Sequence, residues 1–316
     1  MSHITTLASA VPSSQSTTSQ LTSILNASMT VLTSLTSAAT PSNPHTSFHA
    51  GLNVNLGLDI YGAIASARIS TPYIDASRLT SLPSETGHRS FGAFYQLIRG
   101  ATPQEQSYLS LLKPDQYNYL KKSGTYDLPL NSNIDDAAAA DDFREALRVC
   151  GIKAKNLRGI YQTLAACLVL GNLIHSPLEG ITNIDVLEDA CTLLDLDPDA
   201  LSPHISTAES RDAFVQEIYC LLVEWIINFI NTQLTSGKEA ESGAQVSIVE
   251  IPSPSGGQKG YGSFVRAWTA ELLESQVHRQ SFDDSKGLNA EMIADSINLL
   301  KVGAENNSGT FFMLQI

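Results

Sequence analysis

The sequence predicts a mainly α-helical protein with a small central β-sheet, an α/β arrangement dominated by its helices. Apolar residues recur every three or four positions along most of the chain, which lines one face of a helix. Two neighbouring stretches on either side of Asp59 to Gly62 alternate instead, as half-buried strands do. A further β-branched run, Val246 to Ile251, is bounded by Ser, Pro and Gly and reads as a buried strand. With 316 residues, 43% hydrophobic and 16% charged, the chain can bury a substantial core as one large domain or two small ones.

Residues 1–42 form a Ser/Thr-rich N-terminal segment. The first fifty residues hold 22 Ser or Thr and no Asp, Glu, Lys or Arg, so residues 1–20 are expected to stay loose for lack of apolar surface to bury. One helix is expected over Gln20 to Leu35, where Leu21, Ile24, Leu25, Met29, Leu32 and Leu35 share a face. Leu52 to Leu58 and Ala63 to Ile69 then read as a hairpin turning at Asp59-Ile60-Tyr61-Gly62.

Beyond Ser90 the period becomes helical, with Phe91, Phe94, Leu97 and Ile98 in one stripe and Tyr108, Leu109, Leu111 and Leu112 in another. Asp135 and Asp136 precede an Ala run that leads to Phe143, Ala146, Leu147 and Cys150, and acidic residues favour a helix N-terminus while Gly151 can end the helix. Asn156 to Leu173 is apolar around most of its circumference, as a helix inside a large core would be. Ile184 to Leu196 is amphipathic, and a longer helix follows from Asp212, with Trp225 expected in the core. Pro252 to Gly262 reads as a loop, Phe264 to Val277 as a helix face, and residues 301–316 as an irregular tail.

A formal charge of -13 repels nucleic-acid phosphates and anionic lipid, so nucleic acid is not an expected partner. Cys150, Cys167, Cys191 and Cys220 are too widely spaced for a metal clip and read as reduced core residues, which suits the cytosol. The sequons at Asn26 and Asn306 read as chance, and the N-terminus lacks the basic start and apolar stretch of a signal peptide. The apolar runs Ile160 to Ile174 and Tyr219 to Ile230 fall short of the roughly 20 residues a bilayer needs, so no transmembrane segment is expected.

Motifs that would carry chemistry are absent from the sequence. There is no G-x-x-x-x-G-K-[ST] phosphate loop, G-x-G-x-x-G, H-E-x-x-H or G-x-S-x-G. His45 and His49 are one helical turn apart, but Pro44 and Gly51 argue against a helix there. Gly256 to Gly260 fits no phosphate motif and reads as a linker, and Asp283 with Asp284 as a solvated turn.

Arg89-Ser90-Phe91-Gly92-Ala93-Phe94-Tyr95-Gln96-Leu97-Ile98-Arg99-Gly100-Ala101 resembles the R-[NS]-[FY]-H-x-F-Y-Q-[LF]-x-x-G-A segment of myosin heads. Upstream, Ala76-Ser77-Arg78-Leu79 resembles that family's K-S-R-V, and downstream Tyr117 to Tyr126 resembles its Y-x-Y-L-x-x-S-G-C-Y. Phe143 to Leu147 and Ile160 to Leu173 resemble the helical pair ending in L-G-N-[IL]. The block Phe282-Asp283-Asp284-Ser285-Lys286-Gly287-Leu288-Asn289 is most similar to the end of the myosin-like domain fused to fungal chitin synthases.

The resemblance implies a partial myosin-head fold over residues 43–300, from which the nucleotide-binding P-loop region is missing. It also implies two switch segments, both altered. Asn43 to Gly51 lies at switch one, where Ser47 matches the Mg²⁺-ligating Ser but Phe48 replaces the Arg. Glu250-Ile251-Pro252-Ser253-Pro254-Ser255 lies at switch two and keeps only an acidic first residue. Asn43, Ser47, Glu250 and Ser253 are the remaining candidates for nucleotide contact, with Ser47 the candidate for metal.

Phe48 and Ser255 cannot form the ion pair that closes the family's site over a γ-phosphate, and phosphoryl transfer depends almost entirely on such positioning and charge. ATPase activity is therefore expected to be negligible, with no bound cofactor. The expected role is a non-hydrolysing module that binds actin or another cytoskeletal protein and helps place a chitin synthase. That role would sit in the cytoplasm, at the cytoplasmic face of secretory vesicles or the plasma membrane. The alternatives are a fragment of an active motor, which would take ATP and Mg²⁺, and a non-functional truncated paralogue. The chitin synthase signature Q-x-x-R-W is absent, so sugar transfer by this chain is not expected.

Overall fold

A computed structural model of the chain describes residues 16–39, 47–126, 135–178, 180–234, 244–250 and Trp268. The first helix, α1 (Ser16–Thr36), begins four residues before the helix expected over Gln20 to Leu35. Leu25, Val31, Leu32 and Leu35 are fully buried in the main core. Strands β1 (Ser37–Ala38) and β2 (Ser47–Phe48) follow, then the hairpin of β3 (Ala50–Leu58) and β4 (Ile64–Ile74). At its tip the Asp59 carboxylate accepts from the Tyr61 and Ala63 amides, at 2.9 Å each, and Gly62 takes the left-handed conformation with φ 79°.

Helices continue the chain as α2 (Ser77–Thr80), α3 (Gly92–Gly100), α4 (Pro103–Tyr108), α5 (Asn118–Lys121), α6 (Asp136–Val149) and α7 (Ala154–Leu170). The Asp135 carboxylate caps α6 by accepting from the Ala137 amide at 2.9 Å. A small hairpin, β5 (His175–Ser176) and β6 (Gly180–Ile181), leads to α8 (Ile184–Leu194), α9 (Pro198–Leu201), the long α10 (Ala208–Leu234) and β7 (Gln245–Glu250).

The main described sheet has the order β4-β3-β7, with both pairs antiparallel. α10 runs through the middle of the molecule, touching α7, α1 and β4, while α6 packs on α1 and α3, and α8 on α7. Tyr219 on α10 is fully buried, stacks on Phe91 with centroids 5.1 Å apart, and donates its hydroxyl to the Leu35 carbonyl at the end of α1. These contacts join the Ser/Thr-rich helix to the rest in one core.

The structure accounts for two glycines of the motif stretches. A Cβ at Gly171 would lie 2.5 Å from Cδ2 of the Tyr119 ring, and one at Gly100 would lie 2.2 Å from Cβ of Ala140. Both are places where two elements touch through bare backbone. Asn172 then ties the end of α7 to α5, accepting from the Asn118 amide at 2.9 Å and donating to the Gln116 carbonyl at 3.1 Å.

Three expectations are corrected. β7 is the edge of the described sheet rather than a buried strand, with Gln245, Val246 and Ser247 exposed, because only β3 flanks it among the described strands. Trp225 is 43% exposed rather than in the core, since it lies on the side of α10 away from Tyr219 and Val223. And α10, at 27 residues, extends well beyond the apolar run read from the sequence. It contains a stretch of mean hydropathy 1.5 and is long and apolar enough by composition to cross a membrane. In this fold Val215, Tyr219, Val223, Ile226 and Ile230 on its inner side are buried in the core. The helix face read over Phe264 to Val277, apart from Trp268, and the residues 301–316 lie outside the described residues.

Candidate nucleotide-site remnant

β2 pairs with β1 through Ser37↔Phe48 and Ala38↔Ser47, and the His49 amide then donates to the Thr36 carbonyl at 2.8 Å as the chain enters β3. β7 runs antiparallel to β3 with Leu52 opposite Glu250. Glu250 therefore ends at the same end of the sheet at which β2 passes into β3, so the register brings Ser47 and Glu250 to one sheet end. Asn43 and Ser253, the other two candidates, lie outside the described residues, as does Ser255.

Phe48 is 8% exposed and packs into the core. An aromatic ring at this position supplies no charge to a phosphate and, being buried, leaves no surface group to rotate into its place. Two arginines are built into the same end, and both are engaged by protein groups. Arg78, 3% exposed, donates from Nε to the Arg89 carbonyl at 2.9 Å and from Nη2 to the Ala39 carbonyl at 3.0 Å. Arg89 grips Asp136 with two bonds, at 2.7 and 3.3 Å, and lies 3.7 Å above the Tyr95 ring. The Arg89 and Tyr95 of the most specific motif thus act in packing, and burial pushes the Tyr95 phenol pKa up while its oxygen accepts from the Ser90 amide at 3.1 Å.

His88 completes this layer. Nη2 of Arg78 is 3.1 Å from His88 Nδ1, and since guanidinium only donates, Nδ1 is the acceptor and the proton sits on Nε2, 3.4 Å from Glu85. Burial lowers the His88 pKa, the Arg78 charge lowers it further, and Glu85 opposes both. The Ser123 hydroxyl donates to the His88 carbonyl at 2.6 Å, fastening the Tyr117 to Tyr126 segment to the same point.

His49, Asp75 and Ser77 also meet here. His49 Nδ1 lies 3.5 Å from Asp75 Oδ2, and the Ser77 hydroxyl donates to Asp75 Oδ1. The order is Ser to Asp to His, which puts no imidazole on the hydroxyl, so this is a tie between the start of β3 and α2 rather than the Ser-His-Asp arrangement of a nucleophile. Among the described residues no group of three or more His, Cys, Asp or Glu is placed to hold a metal ion. Among the described residues, the position resembling the switch-one Arg holds a buried ring, and Arg78 and Arg89 are engaged by protein carbonyls and Asp136.

A different feature escaped the sequence reading. Trp225 and Leu221 (54% exposed) on α10, Leu196 (45% exposed) after α8, and Ile160 on α7 line a groove of about 600 Å³, floored by Gly159. Gly159 in the interior of a helix, where glycine is disfavoured, was the available signal for it. A second, smaller and more polar cavity of about 280 Å³ lies between β4 and α10, lined by residues including Arg68, Cys220 and Glu224.

The family model described as myosin head (motor domain) matches residues 1–208. The chain is 34% identical over 293 residues to a protein named chitin synthase 5 from Verticillium dahliae, covering 84% of this chain and 15% of that protein. It is 34% identical over 300 residues to chitin synthase csmB from Aspergillus niger, covering 88% and 16% respectively. With myosin-3 from Arabidopsis thaliana it shares 27% identity over 271 residues, 78% of this chain and 23% of that protein. The chain thus spans about 15% of the length of the chitin synthases it matches.

Proposed function

The chain belongs to the myosin head (motor domain) family, and from that premise we propose that it is a myosin-derived binding module that neither hydrolyses ATP nor is gated by it. Its relation to chitin synthases supports a role in placing such an enzyme at the growing cell surface, from the cytoplasmic face of vesicles or plasma membrane, through actin filaments or another cytoskeletal protein.

The observation that carries this reading is Phe48. Phosphoryl transfer is catalysed by positioned charge, and one missing cationic contact of that kind costs roughly three to five orders of magnitude in rate. Here the position resembling the switch-one Arg holds a ring packed in the core. A residue that has become part of the hydrophobic core cannot also swing to close a nucleotide pocket, so binding by this module has no nucleotide-driven on and off states.

Co-sedimentation of the purified chain with actin filaments, with and without Mg²⁺-ATP, tests the proposal. The expected result is pelleting that nucleotide leaves unchanged. Release by ATP, or actin-stimulated phosphate production, would overturn it.

A further inference from the structure

The two edges of the main sheet are finished differently. The outer edge of β4 is closed to a further strand: Asn231 bonds both main-chain groups of Ile69, a bulge falls at Thr71 and Pro72, and Pro72 has no N–H to offer. β7 carries none of these devices. From Gln245 to Val249 it has no Pro, Gly or charged residue, its register on β3 is unbroken, and among the described residues no strand lies on its other side.

Register fixes which groups face outward there. Because the Ile69 groups point away from β3, those of Val54 opposite it point towards β7, where they meet Ile248. Val246, Ile248 and Glu250 therefore bond β3, and the amides and carbonyls of Gln245, Ser247 and Val249 face out. Cross-strand partners share a face, so Val246 lies with Leu56, and Ile248 with Val54, on the core side. Leu56 and Val54 are buried, yet Val246 is 37% exposed and Ile248 half-buried, so the apolar layer stops short at β7. A row of outward N–H and C=O groups selects its occupant: an extended backbone with apolar side chains at alternate positions, rather than a helix or a small molecule.

We propose that β7 pairs antiparallel with β7 of a second copy of this chain, about a two-fold axis at Ser247. This register makes hydrogen-bonded pairs of Ser247 with itself and of Gln245 with Val249, all of them outward-facing, and sets Val246 of each copy beside Ile248 of the other. Glu250, the one charge in β7, comes opposite Ala244, and the two Glu250 carboxylates lie at opposite ends of the ladder. Moving the axis to Ile248 would set Glu250 against Val246, and moving it to Val246 would leave Val249 beyond the end of the strand. The product is a six-stranded sheet whose outer strands are the two blunted β4 edges, so association closes at the dimer. The pairing involves no nucleotide and goes beyond the proposed function.

Sedimentation velocity of the full chain over a range of concentrations and salt tests it. A monomer–dimer equilibrium is expected, shifted towards dimer by salt, because each copy carries a charge of -13 that repels the other until it is screened. Ser247→Pro removes the outward N–H at the axis while sparing the bonds to β3, and is expected to raise the dissociation constant at least about tenfold. Ser247→Ala also loses the Ser247 bond to Asn55 but keeps the amide, so it should dimerise as the unaltered chain does, with a thermal midpoint matching that of Ser247→Pro. Ser247→Cys, facing its own copy across the axis, should form an intermolecular disulfide on mild oxidation, whereas Asn55→Cys, one strand further in, should not. A dimer that Ser247→Pro leaves intact, absence of the Ser247→Cys disulfide, or growth beyond the dimer would overturn the proposal. A monomer under every condition would assign the edge to another segment of this chain or to a different protein's strand, and equally overturn it.

Discussion

Asn231 bonds both main-chain groups of Ile69: its Oδ1 accepts from the Ile69 amide at 2.8 Å and its Nδ2 donates to the Ile69 carbonyl at 2.7 Å. One amide side chain on α10 thereby imitates a residue of a neighbouring strand along the outer edge of β4. Such an edge is otherwise a template for pairing with other chains.

Removing that clamp exposes the edge and strands two partly buried polar groups. Asn231→Ala is expected to cost about 1–3 kcal/mol and to increase aggregation. Urea unfolding measures the first, and light scattering near the midpoint the second; an unchanged midpoint would show the clamp to be idle.

Gly171 and Gly159 predict opposite outcomes for the same substitution. Gly171→Ala drives a methyl into the Tyr119 ring and is expected to destabilise by about 1–3 kcal/mol. Gly159→Ala, with open space around it, is expected to stabilise by up to about 1 kcal/mol. Thermal midpoints of the two variants, moving in opposite directions, check both at once.

Arg89 and Asp136 form a pair whose side chains are 5% and 11% exposed. Asp136→Ala leaves a guanidinium over Tyr95 without its carboxylate and is expected to cost about 3–5 kcal/mol. Replacing both partners by apolar residues should restore most of that loss, and a double-mutant cycle by denaturant titration reads the coupling.

Stability should fall with acid in two stages. Hydrogen bonds from Arg144, with help from Thr102, hold the Glu105 carboxyl at about 2, against an ordinary 4.5, although burial opposes them. Its contribution is complete above pH 4.5 and is lost as pH falls towards that lowered value. The pKa of His88 lies below its ordinary 6.5, so folding favours the neutral ring; that contribution is present above 6.5 and is lost as pH falls through the lowered value. Urea midpoints followed downward from neutral pH should decline first through His88 and then through Glu105. Glu105→Gln should remove the later decline and leave the earlier one, and His88→Gln the converse.

Local pattern made most of the elements readable. The turn at Gly62, the stop at Gly151 and the buried run of α7 follow from residues next to one another, which is where periodicity and turn chemistry act. Depth was not readable. α10 is apolar on more than one side, and a 3.6-residue period says that Phe214, Ile218, Leu221 and Trp225 share a stripe without saying what covers it. The β-branched composition of β7 likewise carried no information on whether one strand or two would flank it. The Asn231 clamp joins residues 162 positions apart, far beyond any window of sequence. At the site, the motif resemblance located Phe48, but only the fold shows its ring taken into the core and Arg78 and Arg89 bound to carbonyls and Asp136.

The central claim is that this end of the sheet no longer grips a nucleotide. Isothermal titration of the purified chain with Mg²⁺-ATP and Mg²⁺-ADP, beside an active myosin head as control, tests it most directly. The account predicts no saturable heat for this chain and strong binding for the control. Micromolar affinity for either nucleotide would contradict it.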